Sequence, residues 1–554
     1  MDVWTSAQKK KSAVGRGSSS KFELYGIKKL RELILDLAVQ GKLVPQDSND
    51  ETASELLRKI EEEKKRLIKE KKIKRLKKLP PVIEEEKLFT IPNTWEWVRL
   101  TDLYYSISPS GKKIKSSEMS EIGNFPIVDQ GQKYIAGYTN NEDLLIEIPG
   151  PIIVFGDHTT AKKYIDFNFV AGADGTKILR PYKMNERFFY TYLLSYKLES
   201  RGYARHFKVL NDNIMALPPL NEQKRIVKKV DELMALCDQL EQEEIDNKAA
   251  HQTLVKTLLN TLTSVETAAE FTQNWQRISE YFDILFTTEE SIEELKQTIL
   301  QLAVTGKLVQ QNPNDEPAIE LLKKIEKEKE RLVKEKKIKK PIKLAVISDN
   351  DKPYTLPSSW EFTRFGDITN RIGSGSTPRG GKSAYFNEGI AFLRSQNIRN
   401  DGLKLEDVAF INDDTHEKMN NTKVVPDDIL LNITGGSLGR STIFPENIGE
   451  ANVSQHVSII RPTLKATNKY LHYCILSPYI QGLIWGRQVG MAREGLSKKV
   501  LELFEIPFPP LKEQLRIVAK VDDLMNLCDL LKTNINEAQE TQVLLANAIA
   551  EKAI

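Results

Sequence analysis

With 554 residues, 80 Lys and Arg against 77 Asp and Glu, and a formal net charge of +3, the chain is too long for one hydrophobic core. It is also too evenly charged for electrostatics alone to name a partner. Three cysteines exclude a disulfide scaffold, no CxxC pair points to zinc, and no apolar run approaches the ~20 residues needed to cross a bilayer.

Residues 1–21 begin MDVWTSAQKKKSAVGRGSSS and lack the apolar core of a secretory signal. They are expected to be a polar, disordered tail on a cytoplasmic protein. Residues 22–90 form a helical region. Leu30, Ile34, Leu37 and Ala38 recur at helical spacing until Gly41 stops the helix. A second helix starts near Ala53, capped by Asp50 or Thr52, with Leu56, Leu57, Ile60, Leu67 and Ile73 on one stripe. Between Lys64 and Lys78 stand ten basic residues and one acid, Glu70. That run reads either as a solvated face or as a docking surface for an acidic partner or phosphate.

Residues 91–217 carry short strand-like runs between Gly, Asn and Asp turns, at Phe125–Val128, Gly150–Phe155 and Thr176–Leu179. A helical run follows from Arg187 to Glu199, so this segment predicts a compact mixed α/β domain. Residues 218–263 predict a long helix with a heptad seam at Ile226, Val230, Leu233, Cys237 and Leu240. The seam weakens through Glu244, Asn247 and His251 and resumes at Leu254 and Leu258. Residues 264–355 comprise a linker, expected to be docked through Trp275, Tyr281 and Phe282, and a second helical region. Residues 356–508 form a second mixed domain, with strand-like runs at Ile390–Leu393, Asp428–Asn432 and Val457–Ile460 and a helix over Tyr470–Leu483. Residues 509–554 give another long helix, its seam running Ile517, Val521, Leu524, Cys528, Leu531, Ile535, Ala538, Gln542, Leu545 and Ile549. Each long helix spans about 60 Å at ~1.5 Å per residue. The paired cysteines Cys237 and Cys528 read as small core residues.

The helical regions are two copies of one text. LRELILDLAVQGKLV at 30–44 returns as LKQTILQLAVTGKLV at 295–309, and IPNTWEWVRLTDL from Ile91 returns as LPSSWEFTRFGDI from Leu356. PPLNEQKRIVKKVDELMALCDQL from Pro218 returns as PPLKEQLRIVAKVDDLMNLCDLL from Pro509. Two near-identical frames hold two unlike inserts. A seam cannot be buried alone, so the two long helices are expected to pair, antiparallel, as a coiled coil that closes a circular frame with pseudo-two-fold symmetry. The fold class is α+β, with two α/β-type domains on that frame. Such a frame suits an asymmetric, two-part target, and the major groove of duplex DNA recurs on one face about every 34 Å.

At this point the sequence resembles the specificity (S) subunits of type I restriction-modification systems. The resemblance is carried by QLAVTGKLV, PPLKEQLRIV and LPSSWEFTRFGDI in the frames. In the second insert it is carried by GSGSTPRGGKSAYFNEGIAFLRSQNIRN from Gly373, DILLNITGGSLGR from Asp428, NVSQHVSIIRP from Asn452 and REGLSKKVL from Arg493. In the first insert PIVDQGQKYIAGY, VFGDHTTAKKYIDF and VAGADGTKIL resemble another variety of the same target-recognition domain. It covers about residues 22–554. The resemblance implies a non-catalytic subunit whose two target-recognition domains each read one half of a bipartite site in double-stranded DNA. It implies two methyltransferase (M) subunits docked on the helices and two restriction (R) subunits in the cleaving complex. S-adenosylmethionine, ATP and Mg would belong to those partners, with no cofactor in this chain and no membrane association. Trp95 and Trp360 are expected to pack insert against frame.

The residues agree with a non-catalytic role. None of the three Pro-Pro pairs, at 80–81, 218–219 and 509–510, has the flanks of an amino-methyltransferase loop. GSTPRGGKS at Gly375–Ser383 is one residue too long for a phosphate loop and contains Pro378. Pro426-Asp427-Asp428 lacks the partner [DE]-x-K of a nuclease site, and the six histidines show no ligand spacing. DNA readout needs Arg or Lys for guanine and Asn or Gln for adenine on loops, with small turns against phosphate. The candidates in the first insert are Lys112, Lys113, Gln130, Gln132, Lys133, His158, Thr159 and Lys162. In the second they are Ser376, Thr377, Arg379, Arg394, Gln396, Asn397, Ser437, Arg440, Gln455 and His456, with Arg493 and Lys498 expected on the backbone. The competing expectation is a coiled-coil scaffold with two protein-binding domains and no DNA readout.

Overall fold

In the computed structural model, which describes residues 2–10, 22–74, 79–109, 111–173, 175–198, 205–265, 267–488 and 495–554, repeated sequence has become repeated structure. The chain divides into two units. The first holds the residues up to 246 together with 539–554, and the second holds 247–538.

In the first unit the apolar stripe of Tyr25–Val39 (α1) buries Ile27, Leu33, Ile34 and Ala38. Gly41 follows at φ +74°, where a Cβ would stand 2.7 Å from Pro92, so glycine both ends the helix and admits the root of the insert. Thr52 caps Ala53–Lys69 (α2) by accepting from the Glu55 amide. Many of the cations in this region are paired: Lys59 with Glu51, Lys64 with Asp102 and Arg66 with Glu63. The insert opens with Glu96–Arg99 (β1). Its first sheet is built on Tyr104–Ile107 (β2), with Phe125–Val128 (β3) set in a second sheet. Ile152–Gly156 (β4) and Lys162–Ile165 (β5) form a hairpin, Val170–Gly172 (β6) turns tightly into Thr176–Pro181 (β7), and Ile214–Leu217 (β8) closes the domain. The first sheet has the order β2-β7-β4-β5, all antiparallel. In the second, β3 and β6 lie side by side and parallel. β8 returns to pair with β1, so the insert begins and ends on one two-stranded root. Leu220–Ser264 (α3) starts directly after it.

The second unit repeats the plan. Glu289–Val304 (α4) and Ala318–Lys334 (α5) are followed by Glu361–Arg364 (β9), Thr369–Ser374 (β10), Ile390–Leu393 (β11), Ile429–Asn432 (β12), Ser441–Ile443 (β13), Ala451–Val453 (β14), Val457–Pro462 (β15) and Glu505–Phe508 (β16). Leu511–Ala553 (α6) ends the chain. The sheet order β10-β15-β12-β13, the parallel pair β11–β14 and the root β9–β16 match the first unit strand for strand. The inserts are unlike in sequence and alike in these strands, but the outer strand of the second sheet is parallel at Lys113–Ile114 and antiparallel at Lys423–Val424. Each unit receives the start of one long helix and the end of the other.

A buried polar node fixes each insert to its frame. Glu222, 1% exposed in the first turn of α3, accepts from the Trp95 indole N–H at 3.0 Å and the Gln46 amide at 2.6 Å. Arg225, one turn on, pairs with Asp50 at 2.6 Å. The second copy sets Glu513 under the Gln311 amide at 2.7 Å, with Arg516 paired to Asp315 at 2.7 Å and Trp360 buried. Burial pushes the carboxyls of Glu222 and Glu513 above the ordinary range, against their hydrogen bonds.

The long helices differ from the heptad reading in their later halves. Ile226, Val230 and Cys237 are buried as expected, and so are Ile517, Val521 and Cys528. They are covered largely by the frame helix and insert of their own unit. Further along, Leu254, Leu545 and Ile549 are exposed, while Val255, Leu259, Ala546 and Ala550 are buried. The stripe has slipped by one residue in both copies. An α-helix drifts ~20° per heptad from a strict seven-residue repeat, or about 80° over the four heptads from Ile226 to Leu254, close to the ~100° between neighbours. Val255 and Leu259 share a core with Ile278, Leu285 and Phe286 of the linker. The linker is thus docked, with Phe282 packed against that core, while Trp275 and Tyr281 are exposed.

The expected disorder of residues 1–21 is corrected for 2–10, while 11–21 lie outside the described residues. Asp2–Ser6 is a helix, and Lys9–Lys10 pairs antiparallel with Phe22–Glu23. Val3, Trp4 and Ala7 form a one-sided stripe that packs with Tyr25 on Val543 and Ala546. Polar composition concealed three apolar residues at helical spacing.

Two predictions follow from these cores. Leu259→Ala costs about 2–5 kcal/mol and Leu254→Ala no more than about 0.5 kcal/mol in denaturant unfolding of the isolated chain. Equal losses would restore the strict heptad. The raised carboxyls stabilise the fold below the ordinary carboxylate range, and that contribution is lost as pH rises through the raised values. Differential scanning from about pH 4 to about pH 7 is therefore expected to show a flatter stability profile for the double variant Glu222→Gln, Glu513→Gln than for the wild type. Parallel profiles would contradict it.

Candidate nucleic-acid interface

Strand direction decides where the candidate residues go. β2 and β4 both run antiparallel to β7, so their carboxyl ends lie together. β6 turns into β7 at that same end, and β3 runs parallel to β6. The loops leaving β2, β3, β4 and β6 therefore collect on one edge, at the far end of the sheet from the β1–β8 root. In the second unit the loops leaving β10, β11, β12 and β14 collect in the same way.

In the first unit two of these loops are sewn together. The Thr159 hydroxyl donates to the Gln130 carbonyl, the His158 amide donates to Gln130 Oε1 at 3.1 Å, and Gln132 approaches the Thr159 carbonyl at 3.5 Å. Beneath them Lys163, 4% exposed, donates to the Asp129 carbonyl at 3.0 Å, and burial lowers its pKa. Gln130, Gln132, His158 and Thr159 are thus brought together, with Lys133 exposed beside them. Lys113 is exposed on a short strand whose partner is Ala171. Two candidates are drawn elsewhere. Lys112 donates to the Leu145 carbonyl at 2.7 Å, beside the Ile146–Phe169 bridge that precedes β6. Lys162 donates at 2.6 Å to the Tyr196 carbonyl, which caps the helix Glu186–Ser195, and burial lowers its pKa to about 8.

In the second unit the edge is assembled from four loops. The Ser376 amide donates to the Val453 carbonyl at 3.2 Å, and Asn432 Nδ2 donates to the Ser395 carbonyl at 2.9 Å. Ile433 and His456 are joined through the backbone at 3.0 Å. Thr377, Arg379, Gln396 and Gln455 are exposed on this edge, and Ser437 and Arg440 are half-buried in the β12–β13 loop. Among the described residues, Arg379, Gln396 and Arg440 have no side-chain partner. Arg394 is partly committed, its Nη2 donating to the Asp407 carbonyl at 2.6 Å. Asn397 is turned inward. It is 1% exposed, accepts from the Arg394 amide at 2.9 Å and donates to the Lys404 carbonyl at 2.8 Å, so both ends of its amide hold the loop rather than face outward. Lys498 stands at the start of the helix Lys498–Glu502, 3.4 Å from Glu502. Arg493 lies outside the described residues. Thr434 and Lys177, which the sequence did not single out, also reach the edge. Lys177 lies two residues beyond the β6–β7 turn, 3.6 Å from Asp157. Only strand direction could have marked it. Among the described residues no group of three His, Cys, Asp or Glu side chains could hold a metal ion, and no helix is long and apolar enough to cross a membrane.

A family model for the type I restriction modification DNA specificity domain matches residues 92–249 and 357–540. The chain is 39% identical to the EcoAI specificity subunit of Escherichia coli and 37% identical to the EcoEI specificity subunit of that organism. Each match covers 100% of this chain and 98% of the relative. A chain from a solved structure of the type I R-M system is 17% identical, with 84% of this chain and 98% of that chain covered at a TM-score of 0.45. The chain belongs to the type I restriction-modification DNA specificity family. It is a specificity subunit, the non-catalytic component of such a system.

Neighbouring side chains on this edge are expected to separate by role. Asn397→Ala leaves the Arg394 amide and Lys404 carbonyl unpaired and costs about 1–3 kcal/mol, whereas Gln396→Ala stays within about 0.5 kcal/mol. Thermal unfolding of the two variants checks this, and the reverse order would make Gln396 the structural residue.

Proposed function

We propose that the loop edge of each unit reads one half of an asymmetric, two-part site in double-stranded DNA. The observation that carries this is the pair of matching edges furnished with different side chains. Gln132, Lys133 and His158 stand on one, and Arg379, Gln396, Arg440 and Gln455 on the other. Arginine grips guanine O6 and N7, and glutamine grips adenine N6 and N7, so unequal edges read unequal half-sites. The exposed Thr377 and the glycine-rich turns at 375–381 and 435–439 suit phosphate contact, and Lys498 and Arg493 belong with that group. Lys112, Lys162 and Asn397 hold the loops from behind.

The subunit acts with two methyltransferase (M) subunits docked on the helical frames, which methylate adenine using S-adenosylmethionine. Two restriction (R) subunits join for ATP- and Mg-dependent cleavage. The complex works in the cytoplasm, and this chain supplies sequence choice without chemistry of its own.

Mapping methylated adenines in cells that carry the system identifies the site. Arg440→Ala and Gln396→Ala are expected to relax one half of it and leave the other intact, each costing the cognate duplex about 1–3 kcal/mol in binding. Binding of the assembled complex should fall steeply with salt as phosphate contacts release counterions. A complex that binds every duplex equally at physiological salt, or variants that alter both halves alike, would refute the reading.

A further inference from the structure

The strand registers align the two edges residue by residue. Gly156 pairs with Thr176 as Asn432 pairs with Val457. The next residues match too. The Asp157 amide donates to the Gly175 carbonyl at 2.8 Å, and the Ile433 amide to the His456 carbonyl at 3.0 Å. The His206 amide donates to the Asp157 carbonyl, and the Leu496 amide to the Ile433 carbonyl, at 2.8 and 2.9 Å. His158 therefore occupies the position of Thr434, and Gly175 the position of His456. Both edges place a histidine at the junction of the same two loops, but from opposite loops. Backbone conformation favours the exchange. Gly175 sits at φ +68°, which L side chains rarely adopt, and a Cβ there would also push the end of the Gln130 side chain aside from 2.0 Å.

In the second unit the imidazole is aimed. Its Nδ1 lies 2.7 Å from the Thr434 hydroxyl. Thr434 is itself confined, because it bridges Gly495, where a Cβ would stand 2.9 Å from the threonine methyl. His456 is half-buried, and among the described residues its Nε2 is approached only by the Gln455 amide at 3.5 Å, too far to satisfy it. A ring held at one nitrogen presents the other in a set direction.

We propose that His456, held by Thr434, is a specificity-determining residue whose Nε2 bonds DNA in the half-site read by the second unit. This rests on the DNA reading above. The shared chemistry is a hydrogen-bonding group on a base edge or a phosphate.

The test uses the full chain assembled with its methyltransferase partner, the mapped duplex, and the variants His456→Ala, His456→Asn and His456→Gln. Asparagine reproduces the Nδ1 side of the ring and glutamine the Nε2 side. His456→Ala is expected to weaken cognate binding about ten-fold or more. His456→Asn should behave like alanine, and His456→Gln should recover most of the loss, at an unchanged thermal midpoint. A base-edge contact shows as one relaxed position in that half-site. A phosphate contact shows as uniform weakening with a shallower salt dependence. Recovery by asparagine and not by glutamine would make the ring a brace for Thr434 and overturn the proposal, as would unchanged binding in all variants. A wild-type complex without sequence preference would instead overturn the underlying DNA reading.

Discussion

A carboxylate buried in the first turn of each long helix is the constraint on which the arrangement depends. Glu222 gathers the Trp95 indole and the Gln46 amide, while Arg225 one turn later gathers Asp50. Four pieces of chain meet there: the loop after α1, the cap of α2, the root of the insert and the start of α3. A buried acid without such donors would be strongly unfavourable, so the node permits few arrangements of those pieces. The insert's first and last strands pair with each other on this root. The sheet then carries its opposite edge, some six residues or about 20 Å away along β7, out to where the loops gather. Position is set at one end of the domain, and the candidate side chains gather at the other.

That separation explains how two inserts of different sequence share the first sheet and the root. The strands that touch the core, such as Ile152–Gly156 and Ile429–Asn432, are buried along their length and keep their register. The loops between them are free to change length, as in the seven residues separating Asn432 from Arg440 through Thr434 and Gly439 where the first unit makes a tight turn through Thr160. The exchange of histidine and small residue between facing loops shows side chains traded on matched strand ends, with the backbone at positive φ at Gly175 and not at His456. Specificity can diverge at such an edge while the node stays fixed.

Much of this architecture was legible in the sequence, because the frames are spelled twice and their helices carry long periodic stripes. The tryptophans were rightly placed between insert and frame. The seam was right where the first heptads pack and wrong beyond them, since accumulated drift is invisible in a pattern read with a fixed period. The common topology of the inserts was only partly legible. Short strands of three or four residues carry little periodicity, and the parallel pairs β3–β6 and β11–β14 join segments far apart in sequence. Residue type led to loops that the strands gather on one edge but could not separate outward Gln396 from inward Asn397, its neighbour. That distinction depends on a carbonyl, that of Lys404, which only the fold brings within reach.

The central claim is that each edge meets its own half of the DNA site. Photo-crosslinkers placed at Gln132 and, separately, at Gln396 in the complex assembled on its mapped duplex test it directly. The account predicts that each position crosslinks to one half-site, and that the two halves differ. Crosslinks from both positions to the same half, or from neither to DNA, would contradict it.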